Sequence, residues 1–315
     1  MAAPTPRLSQ AALLEELEPV VAAELDRHLR TAKDWYPHEY VPWSEGTDYS
    51  GPLDGQAWDP AQSQVDEVAR TALVVNLLTE DNLPSYHREI DISFGRDGAW
   101  GTWVGRWTAE EARHGQAMRD YMLVTRAVDP VALEDERLAH MTAGFRSAYP
   151  HDLQHGVAYV SFQELATRIS HRNTGRHTAD PRFESLLARI AVDENLHMIF
   201  YRNVAAAALE RDPDAMVCAV RDVVVDFAMP GANVEGYTRR ALTIAMGGIY
   251  DLRIHHDEVL MPVLRAWGIW DLEGLGPAGE QARDELAAFM AGLDAQAARF
   301  VEQREARRAR IAARG

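Results

Sequence analysis

Cysteine is almost absent from this sequence, since Cys218 is the only one in 315 residues. A single cysteine cannot form an internal disulfide or ligate an iron–sulfur cluster by itself. Redox chemistry would therefore need another kind of metal site or an external electron donor. The scarcity also favours a reducing compartment. Residues 1–10 lack the basic stretch and apolar core of a secretory signal, so we expect a cytoplasmic protein.

Positive charge is also scarce. Lys and Arg total 32 against 48 Asp and Glu, which gives a formal net charge of −16. A chain of this charge repels nucleic acid and anionic lipid. No apolar run approaches the ~20 residues that a membrane-spanning helix requires. We therefore expect no nucleic-acid partner and no membrane insertion, and an acidic protein partner would need a locally basic face.

Apolar residues recur at three- and four-residue spacing through most of the chain, as in amphipathic helices. The first such pattern follows Ser9, a candidate N-cap. Further helices are predicted over 61–94, 107–127, 130–143, 151–176, 180–210, 213–228, 232–252, 255–267 and 277–313. Alternating strand patterns are scarce, no break is long and polar enough for a linker, and there is no repeat of fixed period. The sequence predicts one all-α domain over 1–315.

Two segments differ from this helical pattern. Residues 31–60 contain four prolines and several aromatic residues between Trp35 and Trp43, which predicts an irregular segment packed on a helical body. Residues 277–315 form an Ala/Arg/Glu-rich tail. This tail is either a solvated helix or a docking site for an acidic protein, and its last arginines are Arg304, Arg307, Arg308, Arg310 and Arg314.

Two helical segments place a glutamate three residues before a histidine: Glu111 with His114, and Glu194 with His197. On a helix this spacing puts both side chains on one face, about 5–6 Å apart at Cβ, so they can share a metal ion. The pattern alone is weak, because roughly one such pair is expected by chance at ordinary composition. The alternative is a pair of helical salt bridges.

Two further glutamates, Glu80 and Glu164, follow apolar stretches of other helices. Together with the two pairs they supply six ligands, which is the ligand set of a four-helix bundle that holds two iron or manganese ions. Four carboxylates also balance the charge of two ferrous ions. If these two glutamates are instead half-exposed polar residues, no such site exists.

Four motifs in order resemble those of the soluble acyl-carrier-protein desaturases, especially their actinobacterial branch. They are TEDNLPSY at 79–86, WTAEEARHG at 107–115, SFQELAT at 161–167 and AVDENLH at 191–197. The resemblance runs from about residue 28 to 250. It implies a ferritin-like four-helix bundle with flanking helices, a homodimer, and a di-iron centre, with manganese as the alternative metal. The implied ligands are Glu80, Glu111, His114, Glu164, Glu194 and His197.

The activity that this resemblance implies is the introduction of a cis double bond into an acyl chain bound to acyl-carrier protein. The reaction would use O₂ and electrons from ferredoxin. Two alternatives stay open: a di-iron oxygenase that hydroxylates or N-oxygenates its substrate, and a non-catalytic iron-binding bundle. The sequence departs from the plant enzymes at 85–92, which carries charges, and at 221–230, which lacks lysines. Chain length and double-bond position are therefore open. Arg168, Arg172 and Arg176 are the first candidates for the carrier-protein dock, and a solvated helix face is the alternative for these arginines.

The resemblance also assigns roles to residues near the ligands. Thr167 would belong to the oxygen pocket, although threonine commonly bonds back to its own helix. Trp35 and Asp193 would orient a metal-binding histidine. Pro84 either kinks a continuing helix or marks its end. Three tryptophans at helical spacing indicate core packing, with an electron route as the alternative: Trp100, Trp103 and Trp107.

Overall fold

The computed structural model describes residues 8–230 and 236–313. Within these ranges helices are the main regular structure, and the only β-type pairing is an isolated bridge between Tyr49 and Gln56. The helices are α1 Gln10–Thr31, α2 Glu67–Asp81, α3 Leu83–Phe94, α4 Gly98–Val124, α5 Pro130–Ala143, α6 Leu153–His177, α7 Pro181–Arg211, α8 Pro213–Val225, α9 Tyr237–Gly247, α10 Leu252–Ile254, α11 Met261–Ala266 and α12 Pro277–Ala312. None of them is long and apolar enough to cross a membrane.

Helices α2, α4, α6 and α7 form the central bundle. The longest interface is the one between α6 and α7, while α1 packs on α4 and α7, and α8 packs on α6 and α12. Aspartates begin many of these helices by accepting hydrogen bonds from first-turn N–H groups. The aspartates that do so are Asp66, Asp129, Asp152, Asp180, Asp212 and Asp251. These caps fix the helix starts that align the bundle.

The helix predicted over 61–94 is two helices with a break of one residue. Asn82 leaves the helical path, and its side chain contacts His140 at 3.3 Å and accepts a hydrogen bond from Ser85 at 2.9 Å. Pro84 is the second residue of α3, where its missing N–H removes no helical hydrogen bond. The chain therefore continues in helical form after a bend, and the bend precedes the proline.

Other boundaries also differ from the prediction. Helix α4 begins at Gly98 rather than 107, because its tryptophan face is buried despite three glycines of low helix propensity. A π-helical turn, His255–Leu260, lies between α10 and α11. The first part of the helix predicted over 232–252 lies outside the described residues up to 235, as does Arg314 of the tail.

Residues 31–60 contain two 3₁₀ turns, Pro37–Glu39 and Trp43–Glu45, and a third begins at Pro60. Arg126, buried at the end of α4, holds this segment. Its guanidinium donates to the carbonyls of Asp48 at 2.7 Å and Gln56 at 3.1 Å, and to the Thr47 hydroxyl at 2.9 Å. The segment covers one side of the bundle near the metal-binding candidates through Trp35, which is 3 % exposed.

Candidate metal centre

The six glutamates and histidines singled out in the sequence come together inside the central bundle. Glu80, Glu111, His114 and Glu194 form one group, and Glu111, Glu164, Glu194 and His197 form a second. Within each group one ligand atom from every residue lies within 4.8 Å of the others. All six side chains are buried, none more than 7 % exposed. Glu111 and Glu194 belong to both groups, as expected of carboxylates that bridge two metal ions.

The inward-facing atoms of these groups lack ordinary partners. Among the described residues, no hydrogen bond satisfies Nδ1 of His114 and His197 or one carboxylate oxygen each of Glu111, Glu164 and Glu194. His197 Nδ1 lies 2.8 Å from Glu111 Oε1, and His114 Nδ1 lies 3.2 Å from Glu194 Oε1. Buried polar atoms without partners are costly. Cations between these facing atoms would remove that cost, so the residues fit a two-metal centre.

The protonation of the metal-free site follows from burial and crowding. Burial, with the nearby Glu111 charge, raises the pKa of Glu80 and of Glu194 well above the usual glutamate value. Burial opposes a charge on His114 and His197, but the surrounding carboxylates prevail and raise the pKa of both histidines. The site thus holds protons that metal ions must displace, so metal affinity falls at low pH.

Asp193 supports the outer nitrogen of His114. Its carboxylate lies 3.3 Å from His114 Nε2 and accepts hydrogen bonds from Trp35 Nε1 at 2.7 Å and Arg113 Nη2 at 2.8 Å. Arg189 pairs with its other oxygen. The structure thus brings Trp35 and Asp193 to the histidine that they were expected to orient. Burial opposes the charge on Asp193, but hydrogen bonds from His114 and Trp35, with the charge of Arg189, outweigh burial and lower the pKa of Asp193.

Glu110 lies behind His197 as Asp193 lies behind His114, and this glutamate was not among the residues predicted from the sequence. Glu110 Oε2 lies 2.8 Å from His197 Nε2 and 3.0 Å from His28 Nε2, and Arg106 Nε donates to its other oxygen at 2.7 Å. A signal was present, because an acidic residue directly precedes the glutamate of each Glu-x-x-His pair. Each candidate metal-binding histidine therefore has its own carboxylate, paired with arginine.

Glu80 and Glu164 each have a hydrogen-bonding partner on a neighbouring helix. His171 was not predicted from the sequence, and Trp107 was predicted to pack in the core. His171 Nε2 lies 2.8 Å from Glu80 Oε1, and burial lowers the pKa of His171 to about 3, so the imidazole is neutral. Trp107 Nε1 donates to Glu164 Oε1 at 3.0 Å, so Trp107 contacts the centre as well as the core. Trp100 and Trp103 pack in the core as expected, and Trp103 stacks on a phenylalanine.

Two further groups could formally hold an ion, but arginines already neutralise them. In the group of His28, Glu110 and His197, Arg106 pairs with the carboxylate. In the group of His256 with exposed Asp257 and Asp294, the guanidinium of Arg253 pairs with both aspartates.

Two cavities adjoin the metal-binding candidates. The main cavity, of about 1270 Å³ including its mouth, begins at Glu80, Glu111 and Trp107 and runs outward between α3 and α6 along mostly apolar walls. The side cavity, of about 580 Å³, is lined by residues of α2, α6 and α9. Thr79 lines both cavities. Glu80, the next residue, therefore lies where the two cavities approach each other.

A family model described as "Fatty acid desaturase" matches residues 9–314. The chain belongs to this family. It is 52% identical over 301 residues to DesA1 of Mycobacterium tuberculosis, which is named as an acyl-(acyl-carrier-protein) desaturase, with 93% of this chain and 89% of that protein covered. It is 31% identical over 304 residues to the chloroplastic acyl-(acyl-carrier-protein) desaturase 7 of Oryza sativa, covering 88% and 73%.

The X-ray structure of DesA2 from Mycobacterium tuberculosis superposes on this desaturase-family chain with a TM-score of 0.71 and 33% identity. The match covers 86% of this chain and 99% of that one. The predicted all-α, ferritin-like fold and the predicted family are thereby confirmed.

Thr167 belongs to neither metal group of this family member. Its hydroxyl donates to the Gln163 carbonyl at 2.8 Å and accepts from the Gln163 amide at 2.9 Å. The residue is 4 % exposed and lines the side cavity. The Thr167 hydroxyl therefore bonds back to its own helix, which was the alternative to a role in the oxygen pocket. It lies one helical turn from Glu164.

The arginines proposed for docking lie on the last turns of α6, which continues to His177. Arg168 is half-buried, and burial lowers its pKa, while Arg172 and Arg176 are exposed. The C-terminal arginines reach the same region. Arg304 donates to the Ala245 carbonyl at 3.1 Å, and another residue of α6, Asn173, donates to the Ile249 carbonyl at 2.9 Å. Both candidate basic sets thus flank the end of α9.

Proposed function

We propose that this chain introduces a double bond into an acyl chain carried by acyl-carrier protein, in a reaction that consumes O₂. The observation that carries the proposal is the position of the two carboxylate–histidine groups at the inner end of a long, mainly apolar cavity. A cavity of this kind suits a hydrocarbon chain. An iron-storage bundle would not need an apolar cavity next to its metal ligands, so the mainly apolar walls support an enzyme.

We propose two iron ions as the cofactor, with manganese as the alternative metal. Glu80, Glu111, His114, Glu164, Glu194 and His197 are the proposed ligands. Bound iron supplies the oxygen chemistry that removal of hydrogen from an unactivated carbon chain requires. Reduction of O₂ to two waters takes four electrons, of which the substrate supplies two. An external donor supplies the other two, and we propose ferredoxin, because one cysteine cannot hold an iron–sulfur cluster.

The protein's own side chains fix the ligands in this proposal. Asp193 and Glu110 orient the histidines and keep each Nδ1 directed inward. His171 and Trp107 each occupy one oxygen of Glu80 and Glu164, which leaves the other oxygen free to face the centre. The apolar walls of the main cavity exclude water next to the reacting carbons.

Thr167 is proposed to act at the oxygen pocket without binding metal. Its hydroxyl lies one helical turn from Glu164, and a rotation about χ1 would exchange the back-bond for a contact inside the side cavity.

The carrier protein is proposed to dock where the side cavity opens. Carrier proteins are usually acidic, and Arg168, Arg172 and Arg176 lie on α6, which lines that cavity with Thr167 and Ser170. Arg308 lies across the end of α9, whereas Arg304 is paired with buried Asp251. Local positive charge would offset the net charge of −16. We further propose a single domain over 1–315 that works as a homodimer, as the family resemblance implies. A chain with one cysteine suits the reducing cytoplasm, which is the proposed location.

Product analysis tests the proposal against the oxygenase alternative. The iron-loaded protein is incubated with a panel of acyl-carrier-protein thioesters, reduced ferredoxin and O₂, and the acyl products are weighed by mass spectrometry. We expect a loss of two mass units. A gain of sixteen would identify an oxygenase, and iron uptake without any product would support the storage alternative.

A further inference from the structure

The main cavity has two chemically different ends. Its α6 wall runs from Gln163, next to the metal-binding candidates, to Asp152, eleven residues away, which is about 16 Å at the helical rise of about 1.5 Å per residue. The middle of the cavity is apolar and includes Leu83, Ile90 and Val160. A hydrocarbon chain would therefore lie along α6 between the inner and the outer end.

The outer end is polar, and its polar groups bond to one another. The Tyr149 hydroxyl donates to Asp226 Oδ2 at 3.2 Å, and His155 lies 3.0 Å from Asp152 Oδ1 and 3.3 Å from Asp222 Oδ2. Such mutual pairing leaves this end poorly suited to recognising a polar substituent on the ligand. Burying a methyl terminus against these carboxylates would also be unfavourable, because it would remove water that solvates their charges.

The outer end also reaches the surface. Arg146, Ala148 and Asp226 line it and are exposed, whereas Glu80 and Glu111 at the inner end are buried. The cavity thus runs from the buried site to solvent. A chain that fills the apolar part would meet water at this end rather than a closed floor.

Charge fixes the direction in which an acyl chain would lie. The outer end carries Glu89, Asp152 and Asp226, which outnumber Arg146, while the neighbouring Asp222 is paired with Arg221. The side cavity lies instead beside the part of α6 that carries Arg168, Arg172 and Arg176, because Thr167 and Ser170 of that helix line it. An acidic carrier protein is repelled by the first surface and attracted by the second. The thioester end therefore belongs at the side cavity and the methyl end at the outer end.

We infer that the main cavity is a channel open at its acidic outer end, through which the methyl end of an acyl chain longer than the cavity leaves the protein. This inference rests on the proposed function. An extended chain advances about 1.2 Å per bond, judged from the reach of extended polypeptide, so a cavity of about 16 Å holds about 13 bonds. The substrate class then includes acyl chains that continue well beyond this length on the methyl side.

A labelling experiment tests the exit without relying on catalysis. Acyl-carrier proteins are charged with a short or a very long acyl chain that ends in an azide, bound to the protein, and treated with a bulky cyclooctyne. The short chain should be protected at least tenfold relative to the denatured complex, whereas the very long chain should react within about twofold of its free rate. Protection of both chains would overturn the inference.

Turnover of a series of chain lengths distinguishes a failure of the open channel from a failure of the proposed desaturase activity. With saturated chains of sixteen to twenty-six carbons, the double bond should stay at a fixed distance from the thioester, and the longest chains should react within about threefold of the shorter ones. Reaction of short chains alone would overturn the open channel and leave the desaturase proposal intact. A desaturase failure would appear as azide exit without any unsaturated product.

Variants at the outer end locate the exit. Ser93→Phe places a ring inside the outer end, and Ala148→Trp covers the mouth from an exposed segment without a demand on folding. Each should lower the ratio of very-long-chain to short-chain turnover at least tenfold. Ile92→Phe, on the exposed side of the same helix α3, is the matched control and should leave the ratio at its parent value. An unchanged ratio in both channel variants would contradict this exit.

Discussion

The carboxylates behind the two metal-binding histidines give a prediction specific to each ion. Asp193 faces His114, and Glu110 faces His197. Loss of such a partner typically lowers metal affinity 10–100-fold, which is about 1.4–2.7 kcal/mol. Asp193→Asn should therefore weaken the ion beside Glu80, and Glu110→Gln should weaken the ion beside Glu164.

The surrounding arginines decide which variant is more severe. Arg113 and Arg189, which pair with Asp193, are 20 % and 13 % exposed, whereas Arg106 beside Glu110 is 35 % exposed. Without Asp193 two poorly solvated guanidinium groups repel a metal cation, while solvent screens the single arginine beside Glu110. We expect a loss near 100-fold for Asp193→Asn and near tenfold for Glu110→Gln.

Anaerobic ferrous-ion titration followed by calorimetry measures both affinities, and anomalous diffraction shows which ion is lost. Asp120→Asn, also on α4 but outside both metal groups, is the control and should bind two ions like the parent. The reasoning fails if both variants weaken the same ion, or if both retain the parent affinities.

Four further outcomes are expected. Thr167→Ala should keep both metals but release more peroxide per double bond, and an unchanged ratio would leave Thr167 as a helix-bonding residue. The triple variant Arg168→Ala, Arg172→Ala, Arg176→Ala should bind acyl-carrier protein more weakly and with less salt dependence than the parent. A truncation after Val301 tests the C-terminal arginines separately. Parent-like binding by the triple variant would exclude α6 as the dock. Iron at about a hundredfold above Kd should raise the melting temperature by about 4 °C per ion, and equal melting of both forms would refute buried metal binding. Burial opposes the charge on Asp193, but hydrogen bonds from His114 and Trp35 lower its pKa to about 2. The ionised carboxylate therefore stabilises the fold by about 2 kcal/mol above about pH 4, and this contribution is lost as the pH falls through 2. The unfolding free energies of the parent and of Asp193→Asn should therefore converge in acid.

The six candidate ligands could be found from the sequence because helical spacing is local. Glu111 and His114 share a face of α4 whatever the helix packs against, and so do Glu194 and His197 on α7. The order of these pairs along the chain, with Glu80 and Glu164 on two other helices, is the ligand order of four-helix bundles that hold two metal ions. Helix type and most helix extents followed from the same periodicity.

Contacts between helices could not be predicted in the same way. His28 and His171 reach Glu110 and Glu80 only because α1 packs beside α4 and α6 beside α2. No spacing in the sequence relates residues so far apart. The start of α4 at Gly98 was missed because burial of its tryptophans outweighs the low helix propensity of its glycines. The C-terminal arginines likewise gained a place beside α9 only through the return of α12 along the bundle.

The most direct test of the two-metal centre is anomalous diffraction at the iron edge from crystals loaded anaerobically with ferrous iron. The account predicts two peaks per chain, one within ligand distance of Glu80 and His114 and the other of Glu164 and His197, with Glu111 and Glu194 reaching both. A single peak at saturating iron, or a peak held by His28 and Glu110, would contradict it.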